Sequence, residues 1–185
     1  MALTKTPVCD FGKKAEDFKL KSIYNKVVTL NDIKGEKATL IMFICNHCPY
    51  VKAIIKDLVK DCKELKKNGI NSVAIMSNDT KNYPEDSFEN MVKFADNNNF
   101  GEINYLFDET QEIAKKYGAV CTPDFFGYNK DLSLQYRGRF RELKDLKPIN
   151  NGDSDLKLAM KMVAQTQKGP DQQIPSMGCN IKWFN

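Results

Sequence analysis

The stretch "KATLIMFICNHCPYVKAIIKDLVKDCKEL", residues 37–65, constrains the fold more than any other. Its first part is a nearly continuous apolar run, as expected of a central strand covered on both faces. After Cys48 the period changes to that of a helix. Val51, Ile54, Ile55, Leu58, Val59, Cys62 and Leu65 fall on one stripe. A buried strand therefore feeds directly into an amphipathic helix, and the junction carries Cys45-Asn46-His47-Cys48, which includes the chain's only histidine.

Three readings of that junction compete. A metal clamp needs about four ligands, and one C-x-x-C supplies two, with His47 awkwardly placed between them. A structural disulfide fits an oxidising compartment. A redox dithiol is favoured, because C-x-x-C after a strand in an α/β chain is its sequence signature. A helix N-terminus carries unpaired N–H groups and partial positive charge, which favour a thiolate over a thiol. Pro49 suits the first turn, where its missing N–H costs nothing. Cys45, nearer the strand end, is expected to be the more exposed sulfur and the nucleophile. Cys48 is expected deeper in the first turn. A protonated His47 beside the pair would favour thiolate further and make the dithiol less reducing than that of thioredoxin.

The rest of the chain reads as one α/β domain over residues 1–185, with a tail of about 168–185 docked on it. "DFKLKSIYNKVVTL" reads as a β-hairpin, "INSVAIM" and "INYLFD" as strands, "EDSFENMVKFADN" and "ETQEIAKKYG" as helices, "DFFGYNKDLSLQYRGR" as a late hairpin, and "SDLKLAMKMVAQTQ" as a last helix. This order implies a mixed central sheet flanked by helices. In the tail, Ile181 and Trp183 alternate with Lys182, which predicts a short edge segment anchored by the tryptophan.

Length and composition exclude several classes. The 185 residues, 42% hydrophobic and 28% charged, suffice for a substantial core. The net charge of +4 is spread along the chain, which argues against a nucleic-acid partner. No apolar run approaches the ~18 residues of a membrane span. The first residues lack the apolar core of a secretory signal, so a cytoplasmic location is expected. No cofactor and no metal are expected.

As a set, "FICNHCPYVKAI", "DETQEIAKKYGAVCTPDFFGYN", "YRGR" and "GCNIKW" resemble the peroxiredoxin-like (AhpC/TSA-related) group of the thioredoxin-like superfamily. The resemblance implies a thioredoxin-like fold with an N-terminal β-hairpin. It implies that Cys45 attacks and Cys48 resolves, and that Pro123 is a cis-proline facing the dithiol. It also implies that Thr122 binds the backbone of a substrate. The implied activity is thiol-disulfide exchange on a disulfide-containing protein or a small thiol, with an unidentified electron donor. The alternatives are a peroxiredoxin-like thiol peroxidase with antioxidant activity on a peroxide substrate, or a non-catalytic redox-sensing module. The peroxiredoxin pattern P-x-x-x-T-x-x-C is not met: its proline and threonine positions hold Ala38 and Met42 in one register, and Ile41 and Cys45 in the other.

Among the other cysteines, Cys62 is read as a core residue and Cys9 as a free thiol. Cys121 and Cys179 are candidates for additional redox roles, Cys121 because it adjoins Thr122-Pro123 and Cys179 as a possible exchange partner of the dithiol. Only three of the 28 basic residues are arginine, Arg137, Arg139 and Arg141, and in a strand they share a face. A solvated strand face is favoured over an anion site.

Overall fold

The apolar run 38–43 forms the middle of the molecule. In a computed structural model, which describes residues 3–184, the strands are β1 (Leu3–Lys5), β2 (Lys19–Ser22), β3 (Val27–Thr29), β4 (Ala38–Phe43), β5 (Ile70–Met76), β6 (Asn104–Phe107), β7 (Cys121–Thr122), β8 (Asp124–Asn129), β9 (Leu134–Tyr136), β10 (Leu143–Lys144), β11 (Lys147–Pro148) and β12 (Met177–Asn180). The helices are α1 (Leu30–Ile33), α2 (Pro49–Lys66), α3 (Phe88–Asn97), α4 (Glu112–Tyr117) and α5 (Asp155–Thr166). Seven strands make one sheet in the order β3-β2-β6-β5-β4-β8-β9. β4, β5 and β6 run parallel, while β8 joins β4 and β2 joins β6 in antiparallel fashion. This is the expected mixed sheet, extended at one end by the expected β2–β3 hairpin.

Strand alternation explains why β4 is buried throughout. Leu40 and Met42 enter one core with Val51, Leu58 and Met160, against α2 and α5. Ile41 and Phe43 enter the other with Tyr117 and Phe126. The whole predicted stripe of α2, from Val51 to Leu65, is buried. Gly69, at φ 77, turns the chain from α2 into β5. Among the described residues no helix is long and apolar enough to cross a membrane.

Three local departures matter for the site. The helix expected from Glu85 begins only at Phe88, because Pro84–Asp86 forms a separate 3-10 turn and Ser87 caps α3. Asp86 is thereby turned into the interior, fully buried. The tail forms a strand earlier than expected, over Met177–Asn180, and this strand lies between β1 and β7 in a second, three-stranded sheet. Trp183 is not its anchor: it is 37% exposed, whereas Cys179, Ile181 and Lys182 are buried. Hydrogen bonds hold the tail, with Lys182 O accepting from Asp79 N and Gln111 Nε2, and Phe184 N donating to Gln111 Oε1.

The arginine expectation is also corrected. Arg137 is buried and pairs with the fully buried Asp124 at 2.9 Å, donates to Gly118 O at 2.8 Å, and stacks over Phe126. Arg139 pairs with Asp155 at 2.6 Å. Strand β9 ends at Tyr136, so the three arginines do not share a strand face.

Candidate active site

The C-x-x-C segment is the loop between β4 and α2. Ile44 N still bonds to Ile75 O beside the strand, and the first helical residue is Pro49. Cys48 is therefore the N-cap of α2, and Cys45 lies three residues before it. The helix's partial positive charge falls on the second cysteine. The loop is fixed from below: Asn46 N donates to Asp86 Oδ1 at 2.8 Å, Asn46 Nδ2 donates to Glu85 O, and Tyr105 OH donates to Asn46 Oδ1 at 2.9 Å.

Opposite the loop stands the turn from β7 to β8, where the Thr122–Pro123 bond is cis, as the resemblance implied. Thr122 Oγ1 lies 3.3 Å from Cys45 Sγ, and Thr122 O lies 3.1 Å from Cys48 Sγ. The third wall is β12. Cys179 stands opposite Thr122 in the strand register, and its Sγ is 3.0 Å from Cys48 Sγ. Cys121 is equally buried, but its thiol donates to Pro123 O rather than to a sulfur. The structure thus gathers Cys45, Cys48, Thr122, Pro123 and Cys179, and leaves Cys121 alongside.

Cys45 is not the more exposed sulfur; it and Cys48 are both fully buried. Their proton affinities diverge in the direction opposite to that expected. Cys48 is brought down to about 5, chiefly because the Cys45 thiol donates to it, with Cys179 and the N–H groups of Val51 and Cys179 adding to that effect and burial opposing it. Cys45 is pushed well above its ordinary value by the same hydrogen bond, by burial and by the charge of Asp86. The Thr122 carbonyl accepts from Cys48 only while that residue is a thiol, so it opposes ionisation; the donors around Cys48 outnumber it. Cys179 is raised to about 12 by burial and by its contact with Cys48, and remains a thiol. Burial likewise raises Cys62, to about 12, in the core position expected for it.

His47 does not act as a free cation. Its Nδ1 lies 2.6 Å from Asp86 Oδ2, and that oxygen also accepts from Asn78 Nδ2 at 2.8 Å. The hydrogen bond to Asp86 raises the His47 pKa against the pull of burial. The imidazolium charge is thus balanced by a buried carboxylate, and Asp86 in turn disfavours ionisation of Cys45. Asp86 and Asn78 had no signal in the sequence: both are polar residues of loops far along the chain. Donor atoms of Cys45, His47 and Asp86 fall within 4.8 Å of one another. Tetrahedral zinc, with bonds of ~2.0–2.3 Å, holds its ligand atoms roughly 3.3 Å or more apart. The 2.6 Å contact of His47 with Asp86 fits a hydrogen bond, not a ligand pair.

A groove of about 480 Å³ opens beside this cluster, bounded by Tyr50, Ile54, Pro123, Ser176 and Met177 and by the Arg139–Leu146 segment. It reaches the cis-proline turn at Pro123.

Comparison with known proteins finds the same fold. No curated protein sequence matches significantly. A crystal structure of an uncharacterized conserved protein from Geobacillus kaustophilus is 40% identical, with a TM-score of 0.94 over 100% of this chain and 97% of that one. A hypothetical protein from Sinorhizobium meliloti is 36% identical, with a TM-score of 0.90 over 98% of each chain. The thioredoxin domain of a thiol-disulfide oxidoreductase from Bacteroides vulgatus, 17% identical, shares the fold with a TM-score of 0.59 over 70% of this chain and 89% of that one. The AhpC/TSA family model matches residues 11–140, which takes in the β4–α2 junction and the cis-proline turn, and the chain belongs to the AhpC/TSA family within the thioredoxin-like superfamily.

Proposed function

We propose that this protein is a thiol-disulfide oxidoreductase whose dithiol is Cys45–Cys48, with Cys48 as the nucleophile. The observation that carries the reading is the position of Cys48. It caps α2, and its pKa is lowered to about 5. A thiolate is the attacking species in disulfide exchange, and the start of α2 favours it on Cys48.

The cycle begins when Cys48 thiolate attacks one sulfur of a substrate disulfide. A Cys48–substrate bond forms and the other substrate sulfur leaves as a thiolate. Cys45 then loses its proton and attacks Cys48 Sγ. The Cys45–Cys48 bond forms, the mixed disulfide breaks, and the second substrate sulfur leaves and takes up a proton. Once Cys48 is covalently bound it no longer holds the proton of Cys45 by hydrogen bonding, which removes the first cause of that residue's raised pKa. Asp86 favours the protonated form of Cys45 until then. Thr122, buried at the cis-proline turn with its hydroxyl 3.3 Å from Cys45 Sγ, is the residue that steers the substrate sulfur in this reading. A thiol donor outside the chain restores the dithiol.

The test is reduction of a protein disulfide, such as that of insulin, with dithiothreitol as donor. Wild-type protein turns over, and Cys48→Ser abolishes turnover. With both Cys45→Ser and Cys179→Ser in place, a substrate adduct stays on Cys48. Turnover retained by Cys48→Ser but lost in Cys45→Ser would reverse the roles. Consumption of hydrogen peroxide faster than of disulfides would favour the peroxidase alternative.

A further inference from the structure

Cys179 has no part in a two-cysteine cycle, yet it is held against Cys48 more firmly than a spare thiol requires. Its strand is tied on both sides, to β1 and to β7. Ser176 adds three bonds: its N donates to Thr6 Oγ1 at 3.0 Å, its carbonyl accepts from Thr6 N, and its hydroxyl donates to Pro123 O at 2.8 Å. Gly178 lets the strand come this close. A Cβ there would lie 2.0 Å from Thr122 O and 3.0 Å from the Pro123 ring. Glycine at 178, next to Cys179, is thus needed for β12 to lie against the cis-proline turn. The result is a sulfur–sulfur separation of 3.0 Å.

We propose that Cys179 is a third redox cysteine, which forms a disulfide with Cys48 in alternation with the Cys45–Cys48 bridge, and that β12 is the built-in strand that delivers it. A disulfide of ~2.05 Å requires the two sulfurs to close by roughly 1 Å, which side-chain rotation supplies without moving paired strands. The exchange needs no added oxidant. Cys179 loses its proton and attacks Cys48 Sγ of the Cys45–Cys48 bridge; the Cys48–Cys179 bond forms, the older bond breaks, and Cys45 leaves and regains a proton. When Cys48 instead carries a substrate, Cys179 resolves that adduct in the same way as Cys45. Cys48 is the pivot of both bridges. The proposal rests on the reading of Cys48 as nucleophile, and it adds a second exit from the mixed disulfide.

The experiment uses dithiodipyridine as probe on the full chain in its native state, with Cys9→Ser in every variant so that this half-exposed thiol adds no equivalent. In Cys45→Ser, Cys48 takes one thiopyridyl group and releases one equivalent of thiopyridone. Cys179 then displaces the second, and digestion yields a peptide pair joined through Cys48 and Cys179. Adding Cys179→Ser stops the reaction at one equivalent, with a stable thiopyridyl adduct on Cys48. Gly178→Ala in the Cys45→Ser background slows the second release at least tenfold, since it moves β12, and Cys179 with it, away from Cys48 without removing either thiol. Oxidised wild-type protein, which needs no variant to fold, yields both the Cys45–Cys48 and the Cys48–Cys179 linkages. A lasting adduct in Cys45→Ser with Cys179 still alkylatable, together with no Cys48–Cys179 peptide from wild type, overturns the proposal. The two readings fail separately. Wild-type disulfide reductase activity without the Cys48–Cys179 linkage sinks only this one; the linkage without reductase activity sinks only the proposed function.

Discussion

Substituting Arg137 tests how the cis-proline turn is held. Asp124, immediately after Pro123, is fully buried and has one cationic partner, which reaches both its oxygens at 2.9 and 3.3 Å. Desolvation raises the Asp124 pKa even with that partner present. Arg137→Met keeps much of the apolar volume and removes the charge, leaving a buried carboxylate that only the Val120 N–H still serves. Breaking a buried pair on one side costs ~3–5 kcal/mol. Loss of the guanidinium stacking on Phe126 at 4.4 Å adds about 1 kcal/mol. The sum is a large share of the ~5–15 kcal/mol that holds an ordinary domain. With a urea slope of ~2 kcal/mol per molar, the midpoint falls by roughly 2 M. The sign with pH is also fixed. Without Arg137 the folded pKa of Asp124 rises further above its unfolded value, so the folded state binds the extra proton more tightly. The deficit is then greatest near pH 7 and shrinks as pH falls through that folded pKa. Urea unfolding of wild type and Arg137→Met at pH 7 and pH 5 measures both effects. A midpoint change under 0.5 M at pH 7 (about 1 kcal/mol on that slope), or a deficit that grows on acidification, refutes the assignment of a stabilising buried pair.

Four further outcomes are expected. The rate of iodoacetamide reaction at Cys48 follows a titration midpoint near 5; a midpoint near that of an ordinary thiol, ~8.5, contradicts the N-cap argument. For the same reason the reduced protein gains stability as pH rises from about 5 toward the ordinary thiol value of ~8.5, and a protein oxidised at Cys48 lacks that gain. Asp86→Asn lowers the pKa of His47, followed through the ring proton resonances of the single histidine; its raised folded pKa stabilises the wild type most below pH ~6.5, and that contribution fades as pH rises through the folded value, so the variant loses this dependence. Cys62→Ala costs about 1–2 kcal/mol by leaving a core void and leaves the dithiol equilibrium with glutathione unchanged; a shifted equilibrium would contradict its purely packing role.

Local periodicity made much of the architecture readable. The continuous apolar run of β4 and the 3.6-residue stripe of α2 are properties of adjacent residues, so the β4–α2 junction and its cysteines could be found without knowing the fold. The cis bond at Thr122–Pro123 came from family likeness, not from local pattern. What escaped the sequence was long-range. Asp86 reaches His47 from 39 positions away because a 3-10 turn interrupts the helix pattern that seemed to run through it. Arg137 looked solvated because its partner, Asp124, belongs to the preceding strand. The expected roles of Cys45 and Cys48 came from nearness to the strand end; the proposed exchange of those roles comes from the helix start at Pro49, which makes Cys48 the N-cap. Trp183 drew attention by size, while backbone hydrogen bonds and a glycine, neither visible as hydrophobicity, dock the tail.

The spacing of the two possible bridges gives the oxidised states unequal mechanical weight. A Cys45–Cys48 bond closes a loop of only a few residues, whereas a Cys48–Cys179 bond spans 131 positions and ties β12 to the start of α2. By chain entropy the short loop restricts the unfolded ensemble by ~2 kcal/mol and the long one by ~5 kcal/mol. An unfolded, oxidising chain therefore closes the short ring first, and the long ring becomes favourable only after folding has brought the sheet β1-β12-β7 together. The two isomers carry the same number of bonds and the same oxidation level, yet they differ in heat resistance. A melting curve, which detects no sulfur directly, distinguishes which ring the protein has closed.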